Sequence, residues 1–292
     1  MDIETFRIPE RKALDLSEHQ TSFTGEYTAK KQAEKDLKSN IKRLRKLQYV
    51  LYADNKQSLL IIFQAMDAAG KDGAIKHVMS GVNPQGTQVF SFKRPSSEEL
   101  DHGYLWRCAK SAPERGRIGI FNRSYYEDVL VVRVHPAILA SAPLPPGIKK
   151  DPDIWHKRFE QISNFEKYLT ENGTKVIKFY LNVSKEEQKR RFLARIDTHE
   201  KNWKFSDADV RERQFWDEYQ NAYKEAIGAT STVDAPWYVM PADHKWYTRL
   251  AVSEVICQTL ESMGLEYPTV SEEHLKMLAE SKIQLMDESM DN

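Results

Sequence analysis

Apolar residues at Ile41, Leu44, Leu47 and Leu51 recur with the helical period and predict a helix from about Ala29 to Tyr52. The pattern then changes. Leu59 to Phe63 is an unbroken apolar run of strand length, the signature of a parallel strand buried on both faces. A turn, DAAGKDG, follows it and opens an amphipathic stretch from about Ala74 to Val82. Further strands are expected at Thr87–Phe92, Arg117–Phe121, Lys175–Val183 and Trp237–Met240. Helices are expected at Glu98–Ala109, Ile154–Leu169, Lys185–Ile196, Asp207–Ile227 and His244–Met263. Strands alternating with helices specify an α/β fold: a five-stranded parallel sheet covered on both faces. The first 25 residues, broken by Pro9 and Gly25, read as an irregular arm, and Ala140–Asp153, with four prolines, as a loop. Residues 197–206 read as a polar loop dotted with aromatics, and the acidic tail beyond about Glu272 as a weak helix or disordered.

Composition narrows the function classes. The 292 residues carry 43 basic and 43 acidic side chains, and a net charge of zero argues against a nucleic-acid coat or a membrane-surface binder. A polyanionic partner must then be held by a local cluster of Lys and Arg. The basic KRLRK stretch on the first helix reads as solvated surface. Two cysteines, Cys108 and Cys257, have neither metal spacing nor a disulfide pattern. The N-terminus does not read as a signal peptide and no apolar run approaches a membrane span, so a cytoplasmic location is expected, with no membrane or nucleic-acid partner.

Three stretches carry candidate chemistry. The first is the strand-to-helix turn Gln64–Gly73. Its backbone N–H groups at Ala68, Ala69, Gly70, Lys71, Asp72 and Gly73, with the helix N-terminus behind them, are aimed to hold an anion. Lys71 would bring a mobile positive charge to a phosphoryl group. The usual phosphate loop has Gly at 65 and Ser or Thr at 72, whereas Ala65 and Asp72 stand here, so the hydroxyl that contacts magnesium is missing. Asp67 could supply an oxygen ligand instead. The competing structural reading is a plain strand–helix turn with a chance Gly-Lys pair.

The second stretch, FNRSYYED, ends the third strand, where open α/β sheets bind ligands. Arg123 offers a planar fork for phosphate oxygens, and Glu127 and Asp128 could orient a nucleotide or hold metal-bound water; the competing reading is structural capping of a strand end. In the third, Arg191 and Arg195 share a helix face that runs into the loop DTHEKNWKFS, as a phosphotransfer lid would require, although taken alone the stretch reads first as a solvated basic helix with a surface loop. Lys76, Lys93, Arg94, Arg107, Arg115 and Arg133 lie near the predicted strand ends, a basic track longer than ATP needs and suited to a longer polyanion.

With these residues assembled, the chain resembles the polyphosphate kinase 2 family over about residues 30 to 265. The resemblance is carried by QAMDAAGKDGAIKHV, FNRSYYEDVLV, RIDTHEKNWKFS and DAPWYVMPADHKWYTRLAVSEVI. It implies a three-layer, thymidylate kinase-like P-loop fold: an arm at residues 1–28, a kinase domain at 29–265 with a helical lid at about 197–215, and an acidic tail at 266–292. It also implies magnesium-dependent transfer, with manganese as a substitute ion, of the terminal phosphoryl of polyphosphate to AMP and ADP, with guanine nucleotides as further acceptors. Asp67, Lys71, Arg123 and Arg195 match the family's catalytic positions, with the metal on Asp67. Polyphosphate is assigned to the phosphate loop with Lys76, Arg94 and Arg107, and the nucleotide to Asn122, Arg123, Tyr126, Glu127, Asp128 and Arg133. A homo-oligomer, dimer or tetramer, is expected.

Departures from the family pattern are Ala65, Thr198-His199 in the lid, and Asn122 and Glu127, which look like the subgroup accepting both AMP and ADP. The alternatives are an ATP-dependent nucleoside monophosphate kinase, which would keep the full phosphate-loop pattern, and a non-catalytic phosphate-binding protein, which would not need Asp67, Lys71 and Arg123 together.

Overall fold

The computed structural model describes residues 1–287; the last five residues of the acidic tail, 288–292, lie outside the described residues. Five strands form one parallel sheet: β1 (Ser58–Gln64), β2 (Thr87–Ser91), β3 (Ile118–Asn122), β4 (Thr174–Asn182) and β5 (Trp237–Pro241), in the order β2-β3-β1-β4-β5. Every residue of β1 is buried, which is why its sequence is an unbroken apolar run. The numbered helices are α1 (Lys30–Asp54), α2 (Lys71–Val78), α3 (Ile154–Glu171), α4 (Lys185–Ile196), α5 (Asp207–Glu212), α6 (Trp216–Thr230), α7 (Lys245–Ser262) and α8 (Glu272–Asp287). Helix α7 is buried along almost its whole length, packs against α1 and α2, and closes one face of the sheet. No helix among the described residues is long and apolar enough to cross a membrane.

Three expectations are corrected. The helix expected over Glu98–Ala109 is two single turns, Ser97–Leu100 and Trp106–Ala109. A capping box between Ser96 and Glu99 starts the first turn, and the chain leaves helical geometry before Gly103. The helix expected over Asp207–Ile227 is split into α5 and α6 by a 3-10 turn at Arg213–Phe215, where the Arg213 side chain turns back to the Lys185 carbonyl and Gln188. The loop expected over Ala140–Asp153 takes in the end of a short helix, Pro136–Ser141, and a further turn, Pro146–Lys149, each with proline in its first turn, where the missing N–H costs nothing.

The arm is irregular but not loose. Ile3, Phe6, Ile8 and Leu14 are buried, the Ile8 N–H donates to the Trp237 carbonyl at 2.8 Å, and Arg7 bridges antiparallel to Tyr238. It thus covers the outer edge of β5, pairing backbone groups that would otherwise stay open. Helix α8 has no buried residue.

Candidate active site

The two central strands set the site. Their parallel register places Phe63 opposite Asn122, and the Arg123 N–H donates to the Phe63 carbonyl at 3.0 Å. The turns leaving β1 and β3 therefore emerge side by side, and Arg123 reaches Asp67 at 2.6 Å. Both turns hold unusual backbone: Ala68 at φ +60°, Gly70 at +114° and Arg123 at +64°. A side chain tolerates this left-handed region only where its surroundings impose it.

A loop whose N–H groups face an anion must send its carbonyls the other way, and each carbonyl from Ala65 to Gly70 has a donor. Lys71 Nζ donates to Ala65 at 2.8 Å and to Met66 at 3.5 Å, and Gln188 Nε2 to Asp67 at 2.9 Å. Arg191 Nη1 donates to Ala68 at 3.0 Å and Ala69 at 2.5 Å, and the Ala74 N–H closes on Gly70 at 2.9 Å. Arg191 also donates to the carbonyls of Ala242 and Asp243. Helix α4 thereby ties the loop to the end of β5. Gln188 had no motif to announce it; the only signal was its position one turn before Arg191 on the same face.

Arg123 is held between two carboxylates, Asp67 and Glu127, the latter at 3.0 Å. Glu127, with burial opposing it and Asp67 adding to it, keeps the guanidinium more firmly protonated than usual. Gln64 donates to the other oxygen of Glu127 at 2.9 Å. Asn122 donates to Asp72 at 2.8 Å. Lys71 lies almost wholly inside the protein, and burial, with the Arg123 charge, lowers its pKa to about 8. The ammonium is present below that pH and lost above it. The KM for a phosphate-chain substrate is therefore expected to rise as pH climbs through about 8, while kcat, read with the anion bound and the charge stabilised, holds to higher pH. Initial-rate pH profiles check this; a KM flat to pH 10 would contradict it.

Asp67, Lys71, Asp72, Asn122, Arg123 and Arg191 line a cleft of about 1290 Å³ whose walls carry ten basic side chains against three acidic ones, while Gln64 and Glu127 stand outside its walls. In a chain of zero net charge, that concentration of cations is local. Of the expected site residues, Asp67 to Gly73, Lys76, Asn122, Arg123 and Arg195 line it, as do Lys93, Arg190 and Arg191 from the neighbouring motifs. Lys245 and Arg249 complete it from α7, four apart and hence on one helix face; the apolar period of that helix concealed them. Burial, with Arg191 nearby, lowers the pKa of Lys245 to about 8. Arg195 faces Asp209 of α5 at 3.8 Å, and Trp203 stands on the rim, 78% exposed. Asn202 caps the end of α4 by donating to the carbonyls of Arg195 and Ile196, and Thr198 donates to Ala194.

The other expected residues stand elsewhere. Tyr126 is fully buried, its hydroxyl bonded to Glu166, Thr230 and Lys178, so the structure puts it in the core instead of on a nucleotide. Asp128 sits beneath the site, where burial, opposed by Arg158 and Arg107, raises its pKa to about 6. Arg133 pairs with Glu225 at 2.6 Å and not with Glu127. Arg107 is buried, pairs with Glu99 and holds the Lys93 carbonyl at 2.8 Å, while Arg94 is exposed outside the cleft walls.

The family model described as Polyphosphate kinase 2 matches residues 27–268. The chain belongs to the polyphosphate kinase 2 family. Its relatives include the ADP-polyphosphate phosphotransferase of Rhodopseudomonas palustris, 52% identical over 98% of this chain and 100% of that one. The AMP/ADP-polyphosphate phosphotransferase of Meiothermus ruber is 41% identical over 91% and 96%. The crystal structure of polyphosphate kinase 2 from Arthrobacter aurescens TC1 superposes with a TM-score of 0.85 at 38% identity, covering 95% of this chain and 96% of that one. The five-stranded sheet with the phosphate loop after β1 is thus a polyphosphate kinase 2 fold.

Proposed function

We propose that this chain transfers the terminal phosphoryl group of inorganic polyphosphate to AMP and to ADP, reversibly, and that guanine nucleotides are further acceptors. The observation that carries this is the cleft: its basic walls run from the phosphate loop across α4 to α7, further than a triphosphate needs. Relatives across the chain's length are named for polyphosphate with ADP or with both AMP and ADP, and a relative from Pseudomonas aeruginosa, matched over 66% of this chain, is named for polyphosphate with GDP.

In the transfer, an oxygen of the nucleotide's phosphate attacks the terminal phosphorus in line. The bond to the bridging oxygen breaks, and that oxygen keeps the electron pair on the shortened chain. A nucleotide phosphate is already anionic at neutral pH, so no residue must remove a proton. Catalysis is then positioning and charge neutralisation. Lys71 and Arg123 hold the transferred group, the loop N–H groups orient it, and Arg195 closes over it with a lid of about residues 197–215. The protein acts in the cytoplasm as a homo-oligomer, dimer or tetramer.

A divalent metal fits the site in one way. Among the described residues no group of three or more His, Cys, Asp or Glu side chains converges. Of the three carboxylates on the cleft walls, Asp67 stands beside Arg123, over a third exposed. Magnesium accepts one carboxylate completed by water and phosphate oxygens, and bound there it would neutralise bridging phosphate oxygens. Asp67→Asn should therefore keep the fold but lose magnesium-dependent turnover by on the order of a hundredfold. Normal turnover with unchanged magnesium dependence would make Asp67 a loop-shaping residue only.

The assay for the function supplies polyphosphate and magnesium with AMP alone or ADP alone, and no ATP. ADP and ATP should form, respectively. Product from ADP only would remove the AMP assignment, and no product from either would remove the polyphosphate assignment.

A further inference from the structure

Helix α1 carries Lys31, Lys35, Lys38, Lys42, Arg45 and Lys46, each three or four residues from another of the set, so all six project from one broad face, and all six are exposed. The opposite face is the buried one, formed by Ala33, Leu37, Leu44 and Leu51. Among the described residues none of the six cations has a carboxylate within ion-pairing distance. The acids of the helix are engaged elsewhere: Glu34 with Lys30, Asp36 with the Tyr27 hydroxyl, and buried Asp54 with Lys56. Arg43, in the same basic run, is drawn off the stripe to Glu254 and Glu261 of α7. The stripe is about 22 Å long at the α-helical rise. Six unpaired cations in a row cost self-repulsion in a chain whose total charge is zero.

One flank of α1 borders the cleft wall: Glu34, at the edge of the stripe, lies within electrostatic reach of the cleft residue Arg249, whose neighbour Leu250 packs on the buried face of α1 at Ala33 and Leu37. Ile41 lies against Gly81, just past the end of α2, the helix that starts at the phosphate loop and carries Lys76. A polyanion leaving the cleft past Lys76 and Arg249 therefore meets α1 next.

We propose that the exposed face of α1 is a second binding surface for polyphosphate, which holds the part of a long chain that extends beyond the cleft. This rests on polyphosphate being the substrate, and it adds a site where chain length is sensed. Long chains should gain affinity from α1, and chains short enough to end inside the cleft should not.

The test compares the wild type with the variant Lys35→Gln, Lys38→Gln, Lys42→Gln, Arg45→Gln. Glutamine keeps helix propensity, and thermal unfolding confirms the fold. With long-chain polyphosphate, KM and the directly measured binding constant should weaken about tenfold, from four lost charge contacts of modest size each. With tripolyphosphate both should stay unchanged, and kcat should stay unchanged with either. The salt dependence of long-chain binding should also become shallower, because fewer counterions are displaced. Equal changes for long and short chains, or no change in long-chain binding, would make the stripe an ordinary solvated face. Weakened RNA binding with unchanged long-chain polyphosphate binding would assign it to nucleic acid and overturn the proposal. If the wild type bound long polyphosphate through α1 but transferred nothing to nucleotides, the functional assignment would fall and this surface would stand.

Discussion

Lys71→Ala is expected to lower kcat/KM for phosphoryl transfer by a few hundredfold, about 3–4 kcal/mol of transition-state stabilisation. Two roles are lost together. The ammonium is a buried cation of the cleft wall, on a side chain left 8% exposed, and its Nζ also holds the Ala65 carbonyl at 2.8 Å. The first role acts on charge that develops as the bond breaks, in a site where little water competes. The second fixes the turn from which the N–H groups point. Lys71→Arg should not restore activity, because a guanidinium is too large for a slot left 8% exposed. Stability should barely fall in Lys71→Ala, since burial opposes the charged form and its removal relieves that cost. Steady-state rates with saturating nucleotide, beside a thermal melt, decide the matter. Retention of most of the activity would remove the phosphate loop from the mechanism.

The parts legible in the sequence were those set by short-range pattern. β1 announced itself because a central parallel strand buries both faces, so LLIIF has no polar partner positions. The stretch from Asp67 to Lys71 was legible because a phosphate loop is made by contiguous residues. The meeting of Asp67 with Arg123, by contrast, depends on the register of β1 with β3, which no local pattern prints.

Tyr126 shows why motif membership does not give direction. The 3-10 turn Tyr125–Val129 sends Tyr125 and Tyr126 inward to Glu166 and turns Glu127 back to Arg123, although all three are consecutive. Gln188 and Arg191 act on backbone carbonyls, which have no sequence identity to match. The arm was unreadable for a related reason: its partners are the edge groups of β5, and an irregular chain paired to an edge has no period.

Glu166→Gln should be among the most destabilising single changes in the protein, by about 3–5 kcal/mol, because it leaves a buried charge without its counter-charge. Lys178 and Glu166 are 0% and 1% exposed and meet at 2.5 Å. Glu166 also accepts from Tyr125 at 2.8 Å and Tyr126 at 2.9 Å, and Lys178 donates to the Thr230 carbonyl and the Tyr126 hydroxyl. With Gln in place, the ammonium keeps only neutral acceptors. Burial already lowers the pKa of Lys178, and without the carboxylate it should fall further. The unfolded chain would then bind a proton that the folded chain releases, so the variant should regain stability as pH rises toward the ordinary lysine range. Glu166→Leu with Lys178→Met removes both charges and should recover much of the loss.

The consequence reaches the site, because these tyrosines hold the turn between Arg123, at φ +64°, and Glu127. A left-handed arginine persists only while its neighbours enforce it. Glu166→Gln should thus lower kcat even at temperatures where the variant is fully folded, with a smaller change in the KM for polyphosphate, because most of the cleft's cations stand on the phosphate loop, α4 and α7. Denaturant unfolding across pH, with rates on the folded variant, measures both effects. A stability within about 1 kcal/mol of the wild type at neutral pH would mean that Lys178 is buried neutral and that the tyrosines alone hold the turn.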